Sequence, residues 1–159
     1  MMHAAFYDGT RPGLPGMVNR VGRFFSGGPA SHTEIVFSDG MSGSSEPNLG
    51  VRLKKIPYTS GNWFFVELPA SYSEKKSRDW YEQFQLEIPY DYLGCLRFGL
   101  NVLGQSPNRA YCTESNLMSA GIPEAWRYCP NGWLNLLRVQ LGEKFNVTRN
   151  PPEQCSVPN

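Results

Sequence analysis

Residues 31–40 read Ser31-His32-Thr33-Glu34-Ile35-Val36-Phe37-Ser38-Asp39-Gly40. The β-branched and aromatic residues at 33, 35, 36 and 37 favour a strand, and Asp39-Gly40 is a strong hairpin signal that closes it. Side chains alternate along a strand, so His32 and Glu34 share one face. Catalysis uses that arrangement when a base needs its ring oriented, and its imidazolium stabilised, by a third group. A solvent-facing strand that carries two polar residues is the other reading of the same pattern. The remaining histidine, His3, has no acidic neighbour before Asp8.

Working outward, residues 3–7 read as a first strand stopped by Asp8-Gly9, and the glycines and prolines of 8–16 demand a loop. Met17, Val18, Val21, Phe24 and Phe25 fall near helical spacing, which predicts a short helix ended by Gly27-Gly28-Pro29. Segments 41–45, 50–56 and 62–68 complete an antiparallel meander of four or five strands. Ser71 with Glu74 fits a capping box, and Trp80 with Phe84 predicts a helix over 73–86. Another helix follows Pro89 with Asp91 as its N-cap, a further one spans 112–120 before Gly121 and Pro123, and a last one spans 130–141. The class is α+β. One domain covers 1–142, and 143–159 reads as a polar tail, loosely held, with Pro151, Pro152 and Pro158.

Composition narrows the function classes. Hydrophobic residues at 40% and charged ones at 18% describe a globular chain rather than a disordered one. Fifteen basic against fourteen acidic side chains leave a net charge of +1, so nothing global favours nucleic acid or an anionic membrane. No apolar run approaches the ~18 residues of a membrane span. The segment Met1–Tyr7 lacks the basic and apolar regions of a secretory signal, so synthesis into a reducing cytoplasm is expected. The four cysteines, Cys95, Cys112, Cys129 and Cys155, contain no C-x-x-C pair, and two histidines offer zinc little. Free thiols are therefore expected, with no metal and no cofactor. The glycines fit neither a dinucleotide fingerprint nor a phosphate loop.

Among the thiols, Cys112 stands apart. It sits in Arg109-Ala110-Tyr111-Cys112-Thr113-Glu114-Ser115, where a loop turns into a helix. Backbone N–H groups at a helix start carry about half a positive charge, which favours thiolate and can hold a developing oxyanion. The plain alternative is a small buried hydrophobe. Cys95 lies in an apolar helix, Cys129 precedes Pro130 and Cys155 lies in the tail.

The order of segments, Ser31-His32-Thr33-Glu34, then Pro89-Tyr90-Asp91-Tyr92-Leu93-Gly94, then Tyr111-Cys112-Thr113-Glu114-Ser115, resembles the permuted branch of the NlpC-type cysteine hydrolases. In the unpermuted enzymes the cysteine helix precedes the histidine strand. The likeness covers approximately residues 3–140 and is nearest to short forms encoded by tailed bacteriophages. It implies a circularly permuted papain-like fold, with an antiparallel sheet packed against a helical cluster. It implies Cys112 as nucleophile, His32 as base and Glu34 as the third polar residue. Tyr90 and Asp91 match a segment that the family places near the site, although a helix cap and a packing aromatic account for them equally. Tyr111 is read as a wall of the pocket or of the core. Asn116 stands where the family often carries an aliphatic residue.

The reaction so implied is hydrolysis of an amide or peptide bond, with peptidoglycan cross-peptides among the substrates. Acyl transfer or thioester cleavage on lipid acyl groups is a second reading, with an apolar groove lined by Phe24, Phe25 and Tyr90. A non-catalytic virion or binding protein that keeps the fold is a third. Arg11, Arg20 and Arg23 precede the histidine strand, either as a substrate-carboxylate site or as solvated charges. The expected partners are a peptide, peptidoglycan or acyl substrate and phage tail proteins, with neither nucleic acid nor membrane insertion. The expected setting is host cytoplasm at synthesis, with association to a virion.

Overall fold

A computed structural model of the chain describes residues 1–9, 27–59, 61–95, 106 and 108–155. Five strands, β1 (His3–Tyr7), β2 (His32–Val36), β3 (Met41–Glu46), β4 (Gly50–Lys55) and β5 (Trp63–Glu67), form one antiparallel sheet in the order β4-β3-β2-β1-β5. Among the described residues three complete α-helices follow: α1 (Glu74–Phe84), α2 (Cys112–Ser119) and α3 (Pro130–Leu141). The architecture is α+β.

The first four strands form the expected ladder, but β5 does not continue it. It crosses to the far side of β1, where Trp63 pairs with Tyr7 and Phe65 with Ala5. The free edge of β4 is instead occupied by the chain after α1: Leu86 N–H donates to Val51 O at 2.8 Å and Val51 N–H to Ile88 O at 2.9 Å. Gly50 permits this approach. Its φ is +73°, and a Cβ there would lie 2.3 Å from the Ile88 carbonyl oxygen.

Both faces of the sheet are covered. On one face Ala4, Phe6, Ile35, Phe37, Val51, Phe64 and Val66 join Tyr81 of α1, Leu117 of α2 and Trp133 of α3 in the main core. Phe6 stacks on Phe64 with centroids 5.2 Å apart and meets Trp133 at 5.4 Å. Burying each such side chain contributes about 1.5–3 kcal/mol. On the other face Ala5, Tyr7, Val36, Tyr58, Trp63 and Phe65 make a second cluster. The face that carries His32 and Glu34 is therefore interior, and the solvent-facing reading of that strand does not hold.

Helix ends follow side-chain chemistry. Ser73, rather than Ser71, caps α1, accepting from Lys76 N–H at 3.3 Å. Glu74 turns to β2's exit instead, accepting from Ser38 N–H at 2.7 Å and from its hydroxyl at 2.6 Å. Cys129 caps α3, its Sγ accepting from Gly132 N–H at 3.2 Å. Asp91 caps the helical turn that begins at Tyr92, its Oδ1 accepting from Gly94 N–H at 2.9 Å. The short helix expected over 17–25, and the bulk of the one after Pro89, lie outside the described residues.

The polar end of the chain is not loosely held as far as Cys155. Thr148 exchanges two backbone hydrogen bonds with Phe65, at 2.8 and 3.0 Å. Arg149 Nη2 donates to Asp8 Oδ2 at 2.6 Å, and Cys155 packs against the second cluster. The composition of this segment is polar because these anchors are hydrogen bonds rather than a buried apolar stripe. Among the described residues no helix is long and apolar enough to cross a membrane.

Candidate active site

Helix α2 is mostly polar, yet nearly all of it is buried, so its hydrogen-bonding groups need partners within the protein. They find them on β2 and α1. Thr113 Oγ1 lies 3.2 Å from Thr33 Oγ1, and Asn116 Nδ2 donates to Thr33 Oγ1 at 3.0 Å. Tyr81 OH donates to Asn116 Oδ1 at 2.6 Å. Asn116 is thus the hub that docks the cysteine helix onto the histidine strand, a role that an aliphatic residue there would not fill. Ser45 on β3 holds the approach to the helix, its hydroxyl donating to Ala110 O at 2.7 Å.

This docking places Cys112 at the first turn of α2, beside the beginning of β2. The preceding residue, Tyr111, is extended at φ −93° and ψ 178°, so the helix starts abruptly at the cysteine. Thr33 points to the helices, and alternation turns His32 toward the opposite face at the strand's end. There the imidazole and the thiol are coupled electrostatically, each favouring the other's charged form. The Thr113 hydroxyl lies 3.9 Å from the sulfur, and the backbone N–H of Thr33 also favours the thiolate.

Glu34 grips the ring from the other side. His32 Nε2 lies 2.9 Å from Glu34 Oε1. Trp63 packs edge-on against the imidazole with centroids 6.2 Å apart, backed by Tyr58 and Tyr7 at 5.0 Å each. The ring is therefore held by one polar and one aromatic neighbour. Upstream, Asn131 of α3 clamps Ala30 with two hydrogen bonds of 3.0 Å, N–H to Oδ1 and Nδ2 to O, fixing the chain two residues before His32.

The charges follow from these contacts. Burial opposes an imidazolium, but the Cys112 thiolate and the Glu34 carboxylate outweigh it and raise His32 to about 9. Burial likewise opposes the Cys112 thiolate, and His32 outweighs it, so the thiol lies below its ordinary value. Glu34 is held down at about 2, because Arg52 and His32 overcome the cost of burying it. Cys95, Cys129 and Cys155 are all pushed up by burial. Cys112 alone among the four combines a helix start with an imidazole.

Arg52 is the partner that the sequence reading missed. It is 4% exposed, and donates to Glu34 Oε2 at 2.7 Å through Nη1 and to Glu34 Oε1 through Nη2. Its Nε donates to Glu46 Oε2 at 2.9 Å, and Lys54 Nζ reaches Glu46 Oε1 at 2.8 Å. Arg52 sits between Val51 and Leu53, which marks its strand as half-buried. Nothing local shows that its own face meets Glu34 two strands away. Trp63 and Asn131 were missed for the same reason.

The other expected residues are placed as follows. Tyr90 lies beside the site: its hydroxyl is 2.9 Å from Cys95 Sγ, and the charge on Cys112 is felt at its phenol. Asp91 is buried and acts as the helix cap already described. Tyr111 is buried, its hydroxyl donating to Trp126 O at 2.8 Å and lying 3.1 Å from Tyr128 O, which pins the turn before α3. Arg11, Arg20, Arg23, Phe24 and Phe25 lie outside the described residues. Among the described residues no group of three or more His, Cys, Asp or Glu side chains is arranged to hold a metal ion. No family model matches the chain, and no curated protein matches it.

Proposed function

We propose that the chain is a cysteine hydrolase of the permuted papain-like kind, cleaving an amide or peptide bond. The observation that carries this reading is a single imidazole 2.9 Å from the Glu34 carboxylate and coupled electrostatically to a thiol at the first turn of a buried helix. Such a group of three is how a weak nucleophile is activated and its base oriented.

In the proposed reaction His32 takes the Cys112 proton and the thiolate adds to the carbonyl carbon. Backbone N–H groups at the start of α2 hold the oxyanion. The tetrahedral intermediate collapses as the imidazolium passes its proton to the leaving amine, which departs and leaves a thioester on Cys112. Water then enters, gives a proton to His32 and adds to the thioester. Collapse releases the carboxylic acid and returns the thiol. Glu34 stabilises the imidazolium in both halves of the cycle. The sequence likeness supports peptides, including peptidoglycan cross-peptides, as the substrate class, and phage tail proteins as partners.

The test is alkylation of Cys112 by iodoacetamide across pH, with Cys112→Ser as the blank and His32→Ala as the probe. We expect rapid labelling that persists well below pH 8 and is slowed by several-fold or more in His32→Ala. Labelling at the rate of a free thiol, indifferent to His32, would remove the basis for an enzyme and leave the binding or structural reading.

A further inference from the structure

We propose that Arg52 is a positioning residue for this site: seated on Glu46, its guanidinium fixes the Glu34 carboxylate so that Glu34 can hold the His32 ring toward Cys112. The inference rests on the cysteine-hydrolase reading above, and adds to it a residue that touches neither the thiol nor the imidazole.

The geometry is specific. Arg52 is on β4 and Glu34 on β2, with β3 between them, a separation of about 10 Å at the usual strand spacing. Ser44 is the β3 residue paired with Arg52, and it is small enough for two long side chains to meet over it. The guanidinium grips both oxygens of Glu34, while Nε and Nη2 each lie 2.9 Å from Glu46 Oε2. Nη1 also donates to Ser42 O at 3.3 Å. A planar fork with carboxylates on two sides cannot swing, and neither can the Glu34 it holds.

The charges alternate in sign along the same path. With the pair formed, they run from thiolate to imidazolium, Glu34, Arg52, Glu46 and Lys54, ending at an ammonium 41% exposed to solvent. Without Arg52, one imidazolium would stand between two buried anions. The site would take up a proton, and the thiol, as the group with the highest ordinary value, would receive it. Arg52 thus keeps the thiolate available through Glu34. Other titratable groups near the thiol are Tyr90 and Cys95 from the preceding segment, Cys129 before α3, and Tyr111 and Glu114 beside it in sequence. Near Glu34 they are Tyr58 and Tyr81. None of these is altered in the variants below.

The experiment compares the pH midpoint of Cys112 alkylation in the full chain for wild type, Arg52→Gln, Arg52→Lys and Lys75→Gln. The last removes one positive charge from the exposed face of α1. Near-UV circular dichroism establishes that each variant is folded. Arg52→Gln should raise the midpoint by about one pH unit, a roughly tenfold loss of thiolate below it. Arg52→Lys, which keeps the charge but not the fork, should raise it by less, and Lys75→Gln should leave it unmoved. In Glu34→Gln protein the further change Arg52→Gln should add no shift, because Arg52 acts through Glu34. Should Arg52→Gln fail to fold, Arg52→Lys decides. A wild-type midpoint in a folded Arg52 variant, or a further shift in the Glu34→Gln background, overturns the proposal. An ordinary thiol midpoint in the wild type itself would instead sink the hydrolase reading on which the proposal rests.

Discussion

Glu34 is a fully buried carboxylate, and its fate with pH can be worked out from its neighbours. Arg52 and His32 hold it at about 2, against 4.5 when free. A lowered folded value means that its contribution to stability is present above about 4.5 and is lost as pH falls through about 2. His32 has the opposite sign: raised from 6.5 to about 9, it contributes below 6.5 and loses that contribution as pH rises through about 9. Glu34→Gln should therefore cost on the order of 3 kcal/mol at pH 7, because it leaves Arg52 and His32 without their shared anion. It should also flatten the decline below pH 4.5, as measured by urea unfolding at a series of pH values. Equal acid limbs in the two proteins would show that Glu34 is not held as described. His32 and Glu34 were legible as a pair because strand alternation is local, whereas the cation that completes them comes from a different hairpin.

Elements meet here through close approaches as much as through apolar stripes. Gly43 of β3 lies directly under Tyr81 of α1, and a Cβ there would stand 2.5 Å from the tyrosine ring. Tyr81 is fully buried and carries the hydrogen bond that fixes Asn116, so pushing its ring disturbs the seat of α2. Gly43→Ala should destabilise the protein by about 1–3 kcal/mol, the usual cost of overpacking, and should slow Cys112 labelling as well. Urea unfolding and alkylation rate on the same samples check both. Unchanged stability would mean that α1 yields freely at this contact. The existence of α1, α2 and α3 was readable from spacing and breakers, since Trp80 with Phe84, Gly121 with Pro123, and Gly142 are local signals, whereas the caps Ser73 and Cys129 emerged only from the structure. The docking of the helices was not readable, because Asn116 and Thr33 are 83 positions apart.

At the scale of the molecule, the sheet is closed at both edges by segments outside the meander. The turn after α1 covers β4, and Thr148 covers β5. Deleting residues 146–159 removes two backbone hydrogen bonds to Phe65 together with the Arg149–Asp8 pair. It should lower Tm by about 4–8 °C, from roughly 2 kcal/mol at 2–4 °C each. Arg149→Ala alone should cost no more than about 1 kcal/mol, because that arginine is largely exposed. Scanning calorimetry of the two variants separates the edge strand from the ion pair, and equal losses would contradict this assignment.

The sequence by itself determined the strands, the presence of α1, α2 and α3, the α+β class and the candidates Cys112, His32 and Glu34. Each of these depends on alternation, spacing or turn chemistry that acts over a few residues. The tertiary structure decided the crossing of β5 to β1, the burial of both sheet faces, and the joining of Arg52, Trp63, Asn131 and Asn116 to the site. These depend on register between strands and on helix docking, where side chains far apart in the chain satisfy one another's charge and hydrogen bonds, and no local pattern encodes which partner that is.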